Sequence, residues 1–159
     1  MPQDPHHDHE DMDEVIAAKL DEHVRAGTEH LENGDDEAAL KSFEAALDLL
    51  DEPKDMWVAA TWLYASIANI HFEAGRWQEA RDNFTAASNA PAGLSNAYIQ
   101  LRRGQAEFEL GNMEAAAHHL LFAHMRGPKG LLEDQDPKYH DLVTRAQAEY
   151  EQRAAAENA

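Results

Sequence analysis

The sequence predicts an all-α chain: three stacked helical hairpins, an α-solenoid, closed by a C-terminal helix, about seven helices in all. Three observations carry this expectation. A pattern of small and large residues recurs three times, as Gly27, Gly34, Ala39, Phe43 and Ala46, then Ala68, Gly75, Ala80, Phe84 and Ala87, then Gly104, Gly111, Ala116, Leu120 and Ala123. The internal steps are 7, 5, 4 and 3 in every copy, and the copies begin 41 and then 36 residues apart. Apolar residues between these positions keep a 3.6-residue rhythm, and no run alternates with period 2 for long enough to form a strand. A repeat of this length describes helix pairs that bury their apolar faces on their neighbours.

Each element has a local reason. Residues 1–12 hold two prolines, a His cluster and acids with little to bury, so they read as a disordered tail. The helical rhythm starts at Asp13; Val15, Ile16, Leu20, Val24 and Leu31 mark the first helix, and Asn33-Gly34 offers a left-handed exit. Asp35 can cap the second helix, which buries Leu40, Phe43, Leu47 and Leu50 and is broken by Pro53. Asp55 offers a start for the third, through Trp57, Leu63, Ile67, Ile70 and Phe72 to Gly75. The fourth spans about Trp77 to Asn89 before Pro91-Ala92-Gly93. The fifth runs from near Ser95 to Leu110, and the sixth from Met113 to Arg126, where Gly127-Pro128 stops it. After a loop at 127–135, Asp136-Pro137 pairs an N-cap with proline in the first turn. Tyr139, Leu142, Val143, Ala146 and Tyr150 then give a capping helix over about 136–152, with 153–159 frayed. Residues 13–152 form one domain on this reading.

With 13 basic and 31 acidic residues the formal charge is −18. Such a field repels nucleic acid and anionic membranes and favours basic protein partners. There is no cysteine, hence no disulfide, thiolate nucleophile or cysteine zinc site. No stretch is apolar enough to span a bilayer, and the N-terminus lacks a secretory signal pattern, so a cytoplasmic location is expected. No phosphate-cradling glycine loop or nucleophile elbow is present, and carboxylates are too plentiful to single out an acid–base pair, so no enzyme and no cofactor are expected. His6-His7-Asp8-His9 is the one dense ligand cluster, but a flexible tail supplies no fixed geometry, and no metal site is expected. Glu114, His118, His119 and His124 lack zinc spacing and read as a surface helix. His30 and His71 read as half-buried packing residues.

With Leu20, Thr61 and Ala97 taken as first positions, the chain resembles the tetratricopeptide repeat, a 34-residue helix–turn–helix unit. The eighth position is Gly27, Ala68 and Gly104, the fifteenth Gly34, Gly75 and Gly111, and the twentieth Ala39, Ala80 and Ala116. The twenty-fourth is Phe43, Phe84 and Leu120, and the twenty-seventh Ala46, Ala87 and Ala123. The resemblance covers roughly residues 20–130, as repeats at about 20–53, 61–94 and 97–130. The pattern departs at position eleven (His30, His71, Glu107) and position four (His23, Tyr64, Gln100). Leu101-Arg102-Arg103-Gly104-Gln105, Phe108-Glu109-Leu110-Gly111-Asn112 and Asp136-Pro137-Lys138-Tyr139 also look like small bacterial members, some of which are thought to neutralise toxins.

The resemblance implies a concave groove lined by the first helix of each hairpin. Its partner-binding residues would be Val24, Thr28, Leu31 and Glu32, then Trp62, Asn69, Phe72 and Glu73, then Tyr98, Leu101, Arg102, Gln105, Phe108 and Glu109. Position twelve is apolar in every copy (Leu31, Phe72, Phe108), and position thirteen is always Glu (Glu32, Glu73, Glu109). That pattern suits a segment with apolar anchors and Lys or Arg flanks. In the other reading Phe72 and Phe108 pack between repeats or on the C-terminal helix, and the glutamates are solvated. The family's clamp for acidic tails is matched only by Asn69 and Arg102. The expected function is a non-enzymatic interaction module for a basic protein or peptide, an acidic inhibitor or immunity protein of a toxin being the sharper form. The alternatives are a homo-oligomeric scaffold using Trp57, Tyr98 or the C-terminal helix, and a metal-handling protein using the His-rich tail.

Overall fold

In the computed structural model, which describes residues 6–159, the described chain is all-helical. Among the described residues there are seven α-helices: α1 (Glu14–Glu32), α2 (Asp36–Asp48), α3 (Val58–Glu73), α4 (Trp77–Asn89), α5 (Ala97–Glu109), α6 (Met113–Arg126) and α7 (Pro137–Glu157). They pair as α1/α2, α3/α4 and α5/α6, with α7 packed on α6. Internal contacts group the chain into two compact units, Met1–Leu94 and Ser95–Ala159, where the sequence reading takes 13–152 as one domain. The division falls just after Pro91-Ala92-Gly93, where Ala92 takes a φ of 59° and regular helix stops.

Caps form where a short acidic side chain precedes the helix, as expected at Asp35 and Asp136 and also at Asp13, which the sequence marks only as the start of the helical rhythm. Asp13 accepts from the amides of Val15 and Ile16, Asp35 from Ala38 and Asp136 from Lys138. Helix α3 differs: Asp55 lies in a 3-10 turn (Lys54–Met56), and the helix begins after Trp57, whose backbone is extended. Trp57 is anchored instead by its indole Nε1, which donates to the Asp51 carbonyl at 3.0 Å. Helix α5 starts two residues later than expected, on an Asn96 cap, and α7 runs to Glu157 instead of fraying at 153.

In the N-terminal unit, α3 is buried on several faces because α2 and α4 both pack on it. Its core joins Leu20, Phe43, Leu50, Leu63, Ile67 and Ile70. The repeated small residues have a direct packing cause. A Cβ on Gly27 would lie 2.5 Å from the Phe43 ring, and one on Gly104 would lie 2.8 Å from Leu120 Cγ. Thus in the first and third hairpins the large residue of the second helix lies on the small residue of the first. Phe43 also reaches the following hairpin, edge-on to Trp62 at 5.4 Å. The hairpin turns close on Gly34, Gly75 and Gly111 with φ of +74°, +71° and +81°, a region that an L side chain rarely enters.

The expectation of a disordered residue 1–12 tail is corrected over its described part. The His7 amide donates to the Met56 carbonyl and the Val58 amide to the His7 carbonyl, a single parallel bridge beside Trp57. The His7 ring lies 5.0 Å from the Trp57 ring, Asp8 caps a 3-10 turn (His9–Asp11), and His9 Nε2 lies 3.2 Å from Asp21 Oδ1. The cause is the extended backbone at Trp57, whose flanking amide and carbonyl groups would otherwise lack chain partners. Residues 1–5 of the expected tail lie outside the described residues.

Candidate functional site

In the C-terminal unit the inner face of α5 is occupied by the chain itself. The loop after α6 runs back along α5 from its first turn to its last. A Cβ on Gly127 would meet Ala97 Cβ at 3.0 Å, so the chain leaves α6 against the start of α5. Leu101 and Leu132 share one buried cluster with Tyr139, Leu142 and Val143. Gln105 Nε2 donates to Gln135 Oε1 at 2.7 Å. At the end of α5 the Tyr139 ring stands edge-on to Phe108 at 5.2 Å, and its hydroxyl donates to Glu109 Oε1 at 2.7 Å. Lys138 Nζ bridges to the same Glu109 oxygen and lies over both rings.

This arrangement settles the charge states locally. Burial alone would raise the Glu109 carboxyl, but the hydrogen bonds from Lys138 and Tyr139 outweigh it and hold it below the usual carboxylate range. Burial, reinforced by the bond to Glu109, pushes the Tyr139 phenol well above its ordinary value. At neutral pH the cluster therefore sets a Glu109 carboxylate against a neutral Tyr139 phenol.

Leu101 and Gln105 are accordingly buried under the chain's own loop, and Phe108 and Glu109 are held by α7, which is the expected alternative of packing on the C-terminal helix. Phe72 is also buried, edge-on to Trp77 at 5.0 Å and to Phe84 at 6.4 Å. Tyr98 and Arg102 pair one helical turn apart, Arg102 Nε to the Tyr98 hydroxyl at 3.2 Å. In the N-terminal unit the first helix of the first hairpin is open: Thr28, Leu31 and Glu32 are exposed and Val24 is half-buried against the core. Trp62 is 48 % exposed although its ring packs T-shaped against buried Phe43; Glu73 is exposed and Asn69 half-buried.

Sequence reasoning placed Tyr139 on a capping stripe and gave Lys138, Gln135 and Leu132 no role in the groove. The available signal was the Lys138-Tyr139 pair, complementary in charge and shape to Phe108-Glu109. Trp57 is buried, so the surface expected to drive self-assembly is not presented there. Among the described residues no group of three His, Asp or Glu side chains could hold a metal ion, and His7 and His9 point to different partners, Trp57 and Asp21. His71 accepts from Arg76 Nε at 2.8 Å and is pushed below its usual range by burial and by that guanidinium.

His119 makes a measurable pH dependence. Its Nδ1 lies 2.8 Å from Gln100 Oε1, and burial, then Arg103 and His118, push it down to about 4. Because this lies below the unfolded value, the unfolded chain takes up the proton first. Stability is therefore full above about pH 6.5 and is lost as pH falls toward about 4. Solvent at the half-buried ring limits the cost to about 1–2 kcal/mol. Urea titrations on either side of that window should show the loss, and His119→Asn should flatten it.

No helix among the described residues is long and apolar enough to cross a membrane. Compared with known proteins, the chain matches no protein-family model and no curated protein.

Proposed function

We propose that this chain is a non-enzymatic binding module of the tetratricopeptide type, which takes a basic protein partner on the inner face of its N-terminal unit. The observation that carries the reading is Trp62. A large aromatic side chain stays half exposed while it packs T-shaped on buried Phe43, on a chain with a net charge of −18. Half-exposed, firmly backed aromatics are the usual anchors of protein interfaces, and a strong acidic field raises the association rate of basic partners. The self-covered α5 face directs the reading to the first two hairpins. A bacterial cytoplasmic protein that masks a basic toxin, such as a nuclease, would use this charge directly.

The test is capture by the immobilised full chain at low and high salt, followed by identification of the bound proteins. Basic partners that are lost as salt rises, and lost with Trp62→Ala, are the expected result. Neutral or acidic partners held equally at high salt would overturn the reading.

A further inference from the structure

One copy of the repeated groove positions, on α5, is covered by the chain's own following segment. Along α5 the groove positions are Leu101, Gln105, Phe108 and Glu109; they receive Leu132, Gln135, Tyr139 and Lys138 in that order. The same four repeat positions on α1 are Val24, Thr28, Leu31 and Glu32. Spaced by 4, 3 and 1, they share one helical face. Three of them are exposed, and the fourth is half-buried.

We infer that the α1 face of the N-terminal unit binds a segment of a partner protein built like residues 131–139: an apolar residue, then, seven positions on, an aromatic residue directly preceded by Lys. This inference rests on the proposed function and names the chemistry of its ligand. The apolar residue lies against Val24, as Leu132 lies with Leu101. The aromatic ring covers Leu31, as Tyr139 covers Phe108. The ammonium reaches Glu32, as Lys138 reaches Glu109. Thr28 replaces Gln105 at the central position, and its hydroxyl is already turned to the Val24 carbonyl at 3.0 Å. The centre is therefore shallower and less selective than in the internal pair. Charge favours the match: Glu32 is exposed at the position where Glu109 receives Lys138, on a chain with 31 acidic and 13 basic residues.

The probe is a fluorescein-labelled peptide of residues 130–140 carrying Glu133→Gln, Asp134→Asn and Asp136→Asn, titrated into the full chain. The expected result is saturable binding that weakens about tenfold or more with Glu32→Lys, and likewise when the peptide carries Lys138→Glu. Pairing the two reversals should recover most of the affinity, which a merely unfolded variant could not do. Leu31→Ser should weaken the wild-type peptide without abolishing the salt response. The inference is overturned by no saturable binding, by binding that ignores Glu32→Lys, or by failure of the paired reversal to recover. If the peptide fails while salt-sensitive capture of a basic protein persists, this inference falls and the proposed function stands. If the peptide binds as expected and no basic protein is captured, the proposed function falls instead.

Discussion

Phe43→Ala is expected to lower the stability of the N-terminal unit by about 3–5 kcal/mol, the range for emptying a fully buried aromatic site. The ring is 0 % exposed, lies on the Gly27 backbone and meets Trp62 edge-on, so the cavity opens at the junction of two hairpins. Gly27→Ala alone should cost about 1–3 kcal/mol, because its new Cβ would sit 2.5 Å from a fully buried ring. The double substitution should cost less than the sum by about 1 kcal/mol or more, since the added methyl enters space that the ring has left. Urea denaturation of the four proteins measures this coupling; strictly additive costs would mean that the small and large repeat positions do not pack on one another.

Gly93→Ala should cost about 3 kcal/mol or more, from an unrelieved backbone clash. A Cβ there would lie 1.8 Å from the Ala87 carbonyl oxygen and 2.8 Å from its carbon. That carbonyl belongs to the last turn of α4, where the Ala90 amide donates to Ala86 and Ala87, so relief requires unwinding the turn. Thr61 Oγ1 ties the same segment to α3 through the Pro91 carbonyl at 2.8 Å, which removes slack. Gly75→Ala is the comparison: φ is +71° but the nearest atom to a Cβ is 4.0 Å away, so only the backbone penalty of about 1–2 kcal/mol applies. Thermal melts and limited proteolysis near residues 89–94 would separate the two; equal effects would show that the close approach at Gly93 relaxes easily.

The two glycines differ in how legible they were. Gly75 announced itself through its place in a threefold spacing, seven residues after a small residue and five before an alanine. Gly93 looked like one part of a Pro-Ala-Gly breaker, and only coordinates show that it lies against the backbone of the preceding helix. The same contrast holds at the site. Leu31, Phe72 and Phe108 are equivalent in sequence, yet Leu31 is exposed, Phe72 is buried on Trp77 and Phe84, and Phe108 is covered by Tyr139. Position in a repeat specifies the direction of a side chain from its helix, but not what stands opposite.

By itself the sequence determined the helical class, the three hairpins, the turn glycines and the caps at Asp35 and Asp136. These depend on near neighbours along the chain: side-chain periodicity, a carboxylate within reach of the next free amides, and the missing Cβ at positive φ. Tertiary structure alone decided that His7 pairs with the backbone on either side of Trp57. It also decided that residues 131–139 fill the α5 face while the α1 face stays open. Both are encounters between segments far apart in sequence, where a polar tail finds unpaired backbone and a Lys-Tyr pair finds a Phe-Glu pair. No local pattern encodes such meetings, because the free energy that selects them belongs to the pair and not to either segment.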